Sequence, residues 1–169
     1  GENLLDFLEA HPELPVWFAP GPRLSALREE RFRRCLALRP TLHLNERESR
    51  ETARRCGQAA ETPEEAAKAL HAVTGAPVIV TLGSDGCLYE TGTERGRIPP
   101  VETEVADTIG AGDAHVGALM ARRALGDDWH TALTIANRYA AAVTAVTGAQ
   151  LGDGDFAALR ARLSGEGLL

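Results

Sequence analysis

An α/β fold with a mostly parallel sheet, helices covering both of its faces, is predicted by two features of this chain, and a third marks its candidate site. Short unbroken apolar runs, Val16-Trp17-Phe18 and Val78-Ile79-Val80-Thr81-Leu82, read as strands buried on both faces. These runs alternate with stretches of helical periodicity, the pattern of parallel strands joined by crossover helices. The third feature is Gly110-Ala111-Gly112-Asp113, which opens an apolar helical pattern at Val116, Leu119, Met120 and Ala124.

Taken in order, Leu4 to Ala10 predicts the end of a helix, closed by His11-Pro12 and Pro15. Val16–Phe18 is a strand, and Pro20-Gly21-Pro22 breaks it into a loop. A helix follows over about 24–38, with arginine on its outer face. Thr41-Leu42-His43-Leu44 is a second strand, delivering Asn45-Glu46-Arg47-Glu48 at its C-terminal end and a helix to about Cys56. Glu61 to Val73 is helical, with Thr62 as N-cap, Pro63 at the first helical position and Gly75 as the stop. The strand 78–82 meets the turn Gly83-Ser84-Asp85-Gly86, and Cys87-Leu88-Tyr89 returns as a hairpin-like unit. Arg97-Ile98 and Val101–Val105 read as short strands. Three helices close the chain, over about 112–125, 129–147 and 156–163.

At 169 residues the chain suits one domain, residues 1–169, with enough length to bury a core. Hydrophobic and charged contents of 44% and 25% are ordinary for a soluble globular protein. The net charge of −6 argues against a phosphate-backbone partner, so nucleic acid is not expected. No apolar run reaches the length of a membrane span and the N-terminus carries no basic-then-apolar signal, so no membrane partner and a cytoplasmic location are the expectations. Cys35, Cys56 and Cys87 form no Cys-x-x-Cys and fit reduced thiols. Lys68 is the single lysine and stands in no Gly-x-x-x-x-Gly-Lys motif, so nucleotide phosphates would be held by backbone N–H groups, arginine or metal.

The glycines at 110 and 112 allow a sharp turn at a helix N-terminus, where free N–H groups and the helix dipole attract negative charge. A carboxylate beside such an anion hole, here Asp113, suits removal of a proton from a hydroxyl as its oxygen attacks a phosphoryl group. The plainer reading is a Gly-rich turn with Asp as helix cap. Asn45 and Glu48 are open to two readings as well. They fit an N-cap with its capping partner, and a carboxylate ordering the water shell of Mg²⁺ on nucleotide phosphates. Thr81-Leu82-Gly83-Ser84-Asp85-Gly86 can be a hairpin turn or a backbone approach to phosphate or ribose, with Thr81 adding a hydroxyl. His115, two positions after Asp113, points to a different side of the helix and reads as a packed or surface histidine. His11, His43, His71 and His130 show no metal-ligand spacing.

Asp107-Thr108-Ile109-Gly110-Ala111-Gly112-Asp113, three free positions, then Gly117-Ala118-Leu119-Met120 resembles the C-terminal signature of the ribokinase (PfkB) family of carbohydrate kinases. The resemblance extends at least from Val16 to Gln150 through Asn45-x-x-Glu48 and the Thr81-x-Gly83-x-x-Gly86 turn. It implies a three-layer α/β/α ribokinase-like domain and transfer of the ATP γ-phosphoryl group to a hydroxyl of a sugar or nucleoside. Asp113 would be the base, with Gly110, Ala111 and Gly112 supplying the N–H groups. Asn45 and Glu48 would lie near the phosphates and Mg²⁺, Thr81, Gly83 and Gly86 at the nucleotide, and Asn137 beside the adenine, the alternative for Asn137 being a polar residue at a helix boundary. Members that need K⁺ hold it with the acid matching Asp107 and with carbonyls near Ile109 and 147–149; otherwise Asp107 caps a turn.

Family members are usually close to twice this long, so the chain is expected to be the nucleotide-binding second half, without the N-terminal half and lid, and inactive alone. A pyridoxal-type vitamin kinase and an inactive nucleotide-binding or regulatory remnant are the alternatives. A homodimer is the assembly left open.

Overall fold

Five strands form one sheet in the order β1-β2-β3-β4-β5 in a computed structural model that describes residues 2–169. Helix α1 (Glu2–Ala10) precedes β1 (Trp17–Phe18), and α2 (Glu29–Ala37) precedes β2 (Thr41–Asn45). Helices α3 (Glu46–Arg55) and α4 (Pro63–Thr74) lead to β3 (Val78–Thr81), which is followed by β4 (Cys87–Glu90) and β5 (Arg95–Ile98). Then come α5 (Ala111–Ala124), α6 (Trp129–Thr144) and α7 (Asp153–Gly165). β1 pairs parallel to β2 and β2 parallel to β3, with Asn45 opposite Thr81. The links from β3 to β4 and from β4 to β5 are short turns, which only antiparallel neighbours permit, so the sheet is mixed.

The chain divides into two compact units, one running to Leu82 and including Leu88–Arg97, the other made of Gly83–Cys87 and Ile98–Leu169. In the first, Leu42 and Leu44 of β2 and Val78 and Val80 of β3 alternate along their strands onto one sheet face. There they pack against Ala53 of α3 and Ala66, Ala67 and Leu70 of α4. Two reciprocal capping boxes start these helices, Asn45 with Glu48 and Thr62 with Glu65, and Gly75 ends α4 at φ +64°. In the second unit α5 packs on α6 and α6 on α7, with Ile135, Leu159 and Leu163 forming a cluster covered by Tyr139 and Leu151.

Several expectations need correction. The helix expected over 24–38 is two pieces: a 3₁₀ turn over Gly21–Ala26, which takes in Gly21 and Pro22 of the expected loop, and α2, which begins after Arg28 in an extended conformation at ψ 145°. The prolines at the head of this segment fix φ and remove N–H donors, which favours a short 3₁₀ turn over a continuous helix. No strand forms over 101–105. Its residues from 102 onward are exposed, and the hydrogen bonds that follow, from the N–H groups of Ala106 and Asp107 to Thr144 O, go to a helix end rather than a strand. Apolar alternation there lacked a partner ladder. The helix expected over 129–147 stops at Thr144, ahead of a turn in which Gly148 takes φ +100°. The last helix begins three residues early, at Asp153, where the Asp155 carboxylate accepts the Gly152 N–H at 3.2 Å. No helix among the described residues is long and apolar enough to cross a membrane.

Candidate functional site

In the first unit the C-terminal ends of β2 and β3 carry Asn45 and Thr81 side by side, because the parallel register pairs them. Such strand ends are where open α/β sheets bind ligands. Asn45 ends β2 and caps α3: its Oδ1 accepts the Glu48 N–H at 2.9 Å. Glu48 returns two bonds, accepting the Asn45 backbone N–H at 3.1 Å and the Asn45 side-chain N–H at 2.7 Å. Glu48 is 4% exposed, so these bonds offset the desolvation of its carboxylate. The capping reading of this pair is therefore realised. Thr81 is half-buried, and its hydroxyl lies 3.5 Å from Leu44 O.

The second unit holds the Gly-rich turns. Gly83 takes φ +60°, and a side chain added there would meet nothing, so its backbone faces open space. Gly86 takes φ +83° and is packed tightly: an added Cβ would fall 2.1 Å from Ile98 O and 2.8 Å from Pro99 C. Gly86 thus seats the turn against the chain leaving β5, while Gly83 is the accessible residue.

Gly110 is the N-cap of α5, left-handed at φ +82°, with Ala149 backbone atoms within 2.9 Å of where a Cβ would stand. Only glycine fits that conformation and that closeness. Ala111, Gly112 and Asp113 make up the first turn, whose N–H groups lack intrahelical carbonyls. Gly112 is exposed, helical and faces open space, so nothing in the fold calls for glycine there. Asp113, also exposed, adds a carboxylate at the positive end of the helix dipole.

Asp107 ties two loops together: Oδ1 accepts the Ile109 N–H at 3.0 Å and Oδ2 the Gly148 N–H at 3.2 Å. These two donors hold its carboxyl below the usual range. The turn-capping alternative for Asp107 is thus present.

Asn137 does not lie at a helix boundary. It is buried in the middle of α6, with Oδ1 3.0 Å from His115 Nε2 and Nδ2 donating to Pro99 O at 2.9 Å. Its side chain also bonds the buried Cys87 thiol, whose pKa burial pushes up to about 12. The amide expected beside an adenine is therefore engaged inside the fold. Burial pulls His115 down to about 4, so the ring is neutral at physiological pH. Its packed state agrees with the sequence reading, but its pairing with Asn137, 22 positions away, carries no sequence signal.

Among the described residues no three His, Cys, Asp or Glu side chains gather into a metal-binding group. A nucleotide-borne Mg²⁺ does not require one, since it keeps several waters and takes one or two carboxylates. Glu48, a buried carboxylate with lone pairs beyond its two accepted bonds, fits an outer-sphere role. Asp107 fits a monovalent cation in the same limited sense, its charge standing beside the Gly110 turn.

The model of the pfkB family of carbohydrate kinases matches residues 10–154. Over 140 residues the chain is 34% identical to the uncharacterized sugar kinase YegV of Escherichia coli (strain K12), covering 83% of this chain and 43% of that protein. The inosine-bound nucleoside kinase of Burkholderia thailandensis is similar in structure, with a TM-score of 0.78 and 26% identity over 98% of this chain and 53% of that one. Ribokinase from Thermotoga maritima gives a TM-score of 0.77 at 23% identity, over 95% of this chain and 53% of that one, a likeness of fold. The chain spans about half the length of these relatives.

Proposed function

Since this chain belongs to the pfkB family of carbohydrate kinases, we propose that it is the nucleotide-binding and catalytic portion of an ATP-dependent kinase acting on a hydroxyl of a sugar or nucleoside. The fold is the expected α/β ribokinase-like one. The observation that carries the proposal is the start of α5: a left-handed Gly110 turns the chain so that Asp113 stands exposed in the first turn, one residue after an unobstructed Gly112. A sugar kinase among the relatives and an inosine-bound nucleoside kinase among the structural neighbours support the range of acceptors.

Asp113 accepts the proton of the acceptor hydroxyl as that oxygen attacks the γ-phosphorus and the bond to the leaving ADP oxygen breaks. The N–H groups of Gly110, Ala111 and Gly112, with the helix dipole, stabilise the charge on the transferring group. Gly112 lets the phosphoryl oxygens approach the backbone, and Gly83 and Thr81 receive the nucleotide. Mg²⁺ bound with the nucleotide would supply charge neutralisation at the phosphates, with Glu48 the residue that would order its waters and Asn45 lying near the phosphates. Asp107 and the carbonyls near Ile109 and in the 147–149 loop are the groups that would hold K⁺, which would add positive charge beside the Gly110 turn and keep the loop shaped.

Asp113→Asn tests the reading in the full-length protein. The change keeps size and removes the base, so turnover should drop by about 10²–10⁴-fold while ATP affinity stays within a few-fold. Turnover close to wild type, across a panel of sugars and nucleosides, would exclude Asp113 as the base.

A further inference from the structure

We propose that His115 and Asn137 are a positioning pair that sets the rotation of α5, and through it the aim of Asp113 and of the first-turn N–H groups. The inference rests on the role given to Asp113 above. The two side chains are 3% and 8% exposed and lie in the seam between α5 and α6, where Leu119, Leu133 and Ala136 are also buried. Two apolar residues would fill that seam at the cost only of the Asn137 bond to Pro99 O, and asparagine in a helix interior is unfavourable. A buried polar pair in such a seam specifies one register among several apolar packings.

The bonding fixes the geometry without ambiguity. Pro99 O is a backbone carbonyl and can only accept, so the Asn137 Nδ2 must face it, at 2.9 Å. Oδ1 then faces His115 Nε2, at 3.0 Å, and an amide oxygen also only accepts. His115 is therefore the Nε2–H tautomer, donating to Asn137. Burial, which holds the ring neutral, agrees with this state.

Asp113 and His115 are two positions apart on one helix, about 200° around its axis. Seating the His115 ring inward thus turns Asp113 outward. The carboxylate stands about 5 Å from the helix axis, so a rotation of roughly 10° moves it by about 1 Å. A displacement of that size costs on the order of 10²-fold in rate at a reacting centre. The same amide reaches the other Gly-rich turn: Pro99 belongs to the backbone against which Gly86 is packed, with Ile98 O only 2.1 Å from a Gly86 Cβ position. One buried side chain in this unit indexes both the start of α5 and the Gly83–Gly86 turn.

The test compares His115→Phe, which fills the space without a donor, with His115→Gln, which keeps one, and with the double variant His115→Phe/Asn137→Leu, in the full-length protein. His115→Phe should lower kcat by about 10–100-fold with KM for ATP changed less than about 3-fold. His115→Gln should recover most of the loss. The double variant relieves the stranded Asn137 oxygen but leaves Pro99 O without its donor, so it should regain part of the thermal stability and none of kcat. Recovery of kcat along with stability in the double variant would show a packing role and overturn the proposal. A readout free of activity separates this from failure of the kinase reading: the ¹⁵N spectrum of His115 should show the Nε2–H tautomer, and His115→Phe should shift the amide signals of Gly112 and Asp113. An Nδ1–H tautomer, or unmoved Gly112 and Asp113 signals, would overturn the pair whatever the substrate proves to be.

Discussion

Both carboxylate oxygens of Glu48 are committed to Asn45, at 3.1 Å to its backbone N–H and 2.7 Å to its side-chain amide. The junction between β2 and α3 is thereby closed on itself at a strand end where a nucleotide would bind. Capping and metal ordering are compatible roles, and they separate under substitution. Glu48→Gln keeps one acceptor and loses the other bond, so it should cost about 0.5–1.5 kcal/mol and lower Tm by a few degrees. It should also raise the Mg²⁺ concentration needed for half-maximal turnover. A melting curve that shifts alongside an unchanged Mg²⁺ titration would leave Glu48 as a cap and nothing more.

Gly110 and Gly112 should respond oppositely to alanine. At Gly110 the left-handed φ of +82° and the Ala149 oxygen 2.6 Å from an added Cβ mean strain and a backbone clash, for a loss on the order of 2 kcal/mol or more. At Gly112 the backbone is helical and the space open, so alanine should add about 0.5–1 kcal/mol of stability. That more stable variant should nevertheless lose turnover, because on the proposed mechanism its methyl group would stand where the phosphoryl oxygens approach. Urea unfolding and kcat measured on the same preparations check both signs. Full activity in Gly112→Ala would show that the phosphoryl group does not pass there.

His115 should make stability sensitive to mild acid. Burial depresses its pKa from 6.5 to about 4, so between these values the unfolded chain binds a proton that the folded one excludes. Stability from this residue is complete above pH 6.5 and falls as pH drops toward 4, by up to about 3 kcal/mol. His115→Gln removes the titrating group, and its unfolding midpoint should fall less than that of wild type between pH 7 and pH 5. Parallel curves for the two proteins would place the acid sensitivity elsewhere.

Asp107 holds Ile109 and Gly148 through separate oxygens. Asp107→Asn keeps one acceptor and Asp107→Ala keeps none, so mobility of the 146–149 loop should rise in that order, read by amide hydrogen exchange at Gly148. Turnover of the parent should be higher in K⁺ than in Na⁺, with the difference gone in Asp107→Ala. Equal rates in the two salts would remove the cation from the mechanism and leave the carboxylate as a loop tie.

Features controlled by local chemistry were legible in the residues that carry them. Thr62-Pro63 with Glu65 starts a helix wherever it is placed, Gly75 stops it, and Gly110 before an apolar periodic run marks a helix N-terminus, since these signals act within a turn of the residues that carry them. The apolar run at 78–82 likewise implies a buried strand, whereas the run at 16–18, read as buried on both faces, is a half-buried edge strand with a neighbour on one side only. The register that sets Asn45 beside Thr81 follows once β2 and β3 pair. Features that depend on a distant partner emerged only with the packed fold. Val101–Val105 alternates like a strand but has no ladder to join, Asp107 finds Gly148 across 41 positions, and Asn137 turns inward to His115 and Pro99 instead of outward to a base. A hydrogen bond between residues far apart in the chain leaves no period or spacing to read, because the geometry that permits it exists only after the helices have packed.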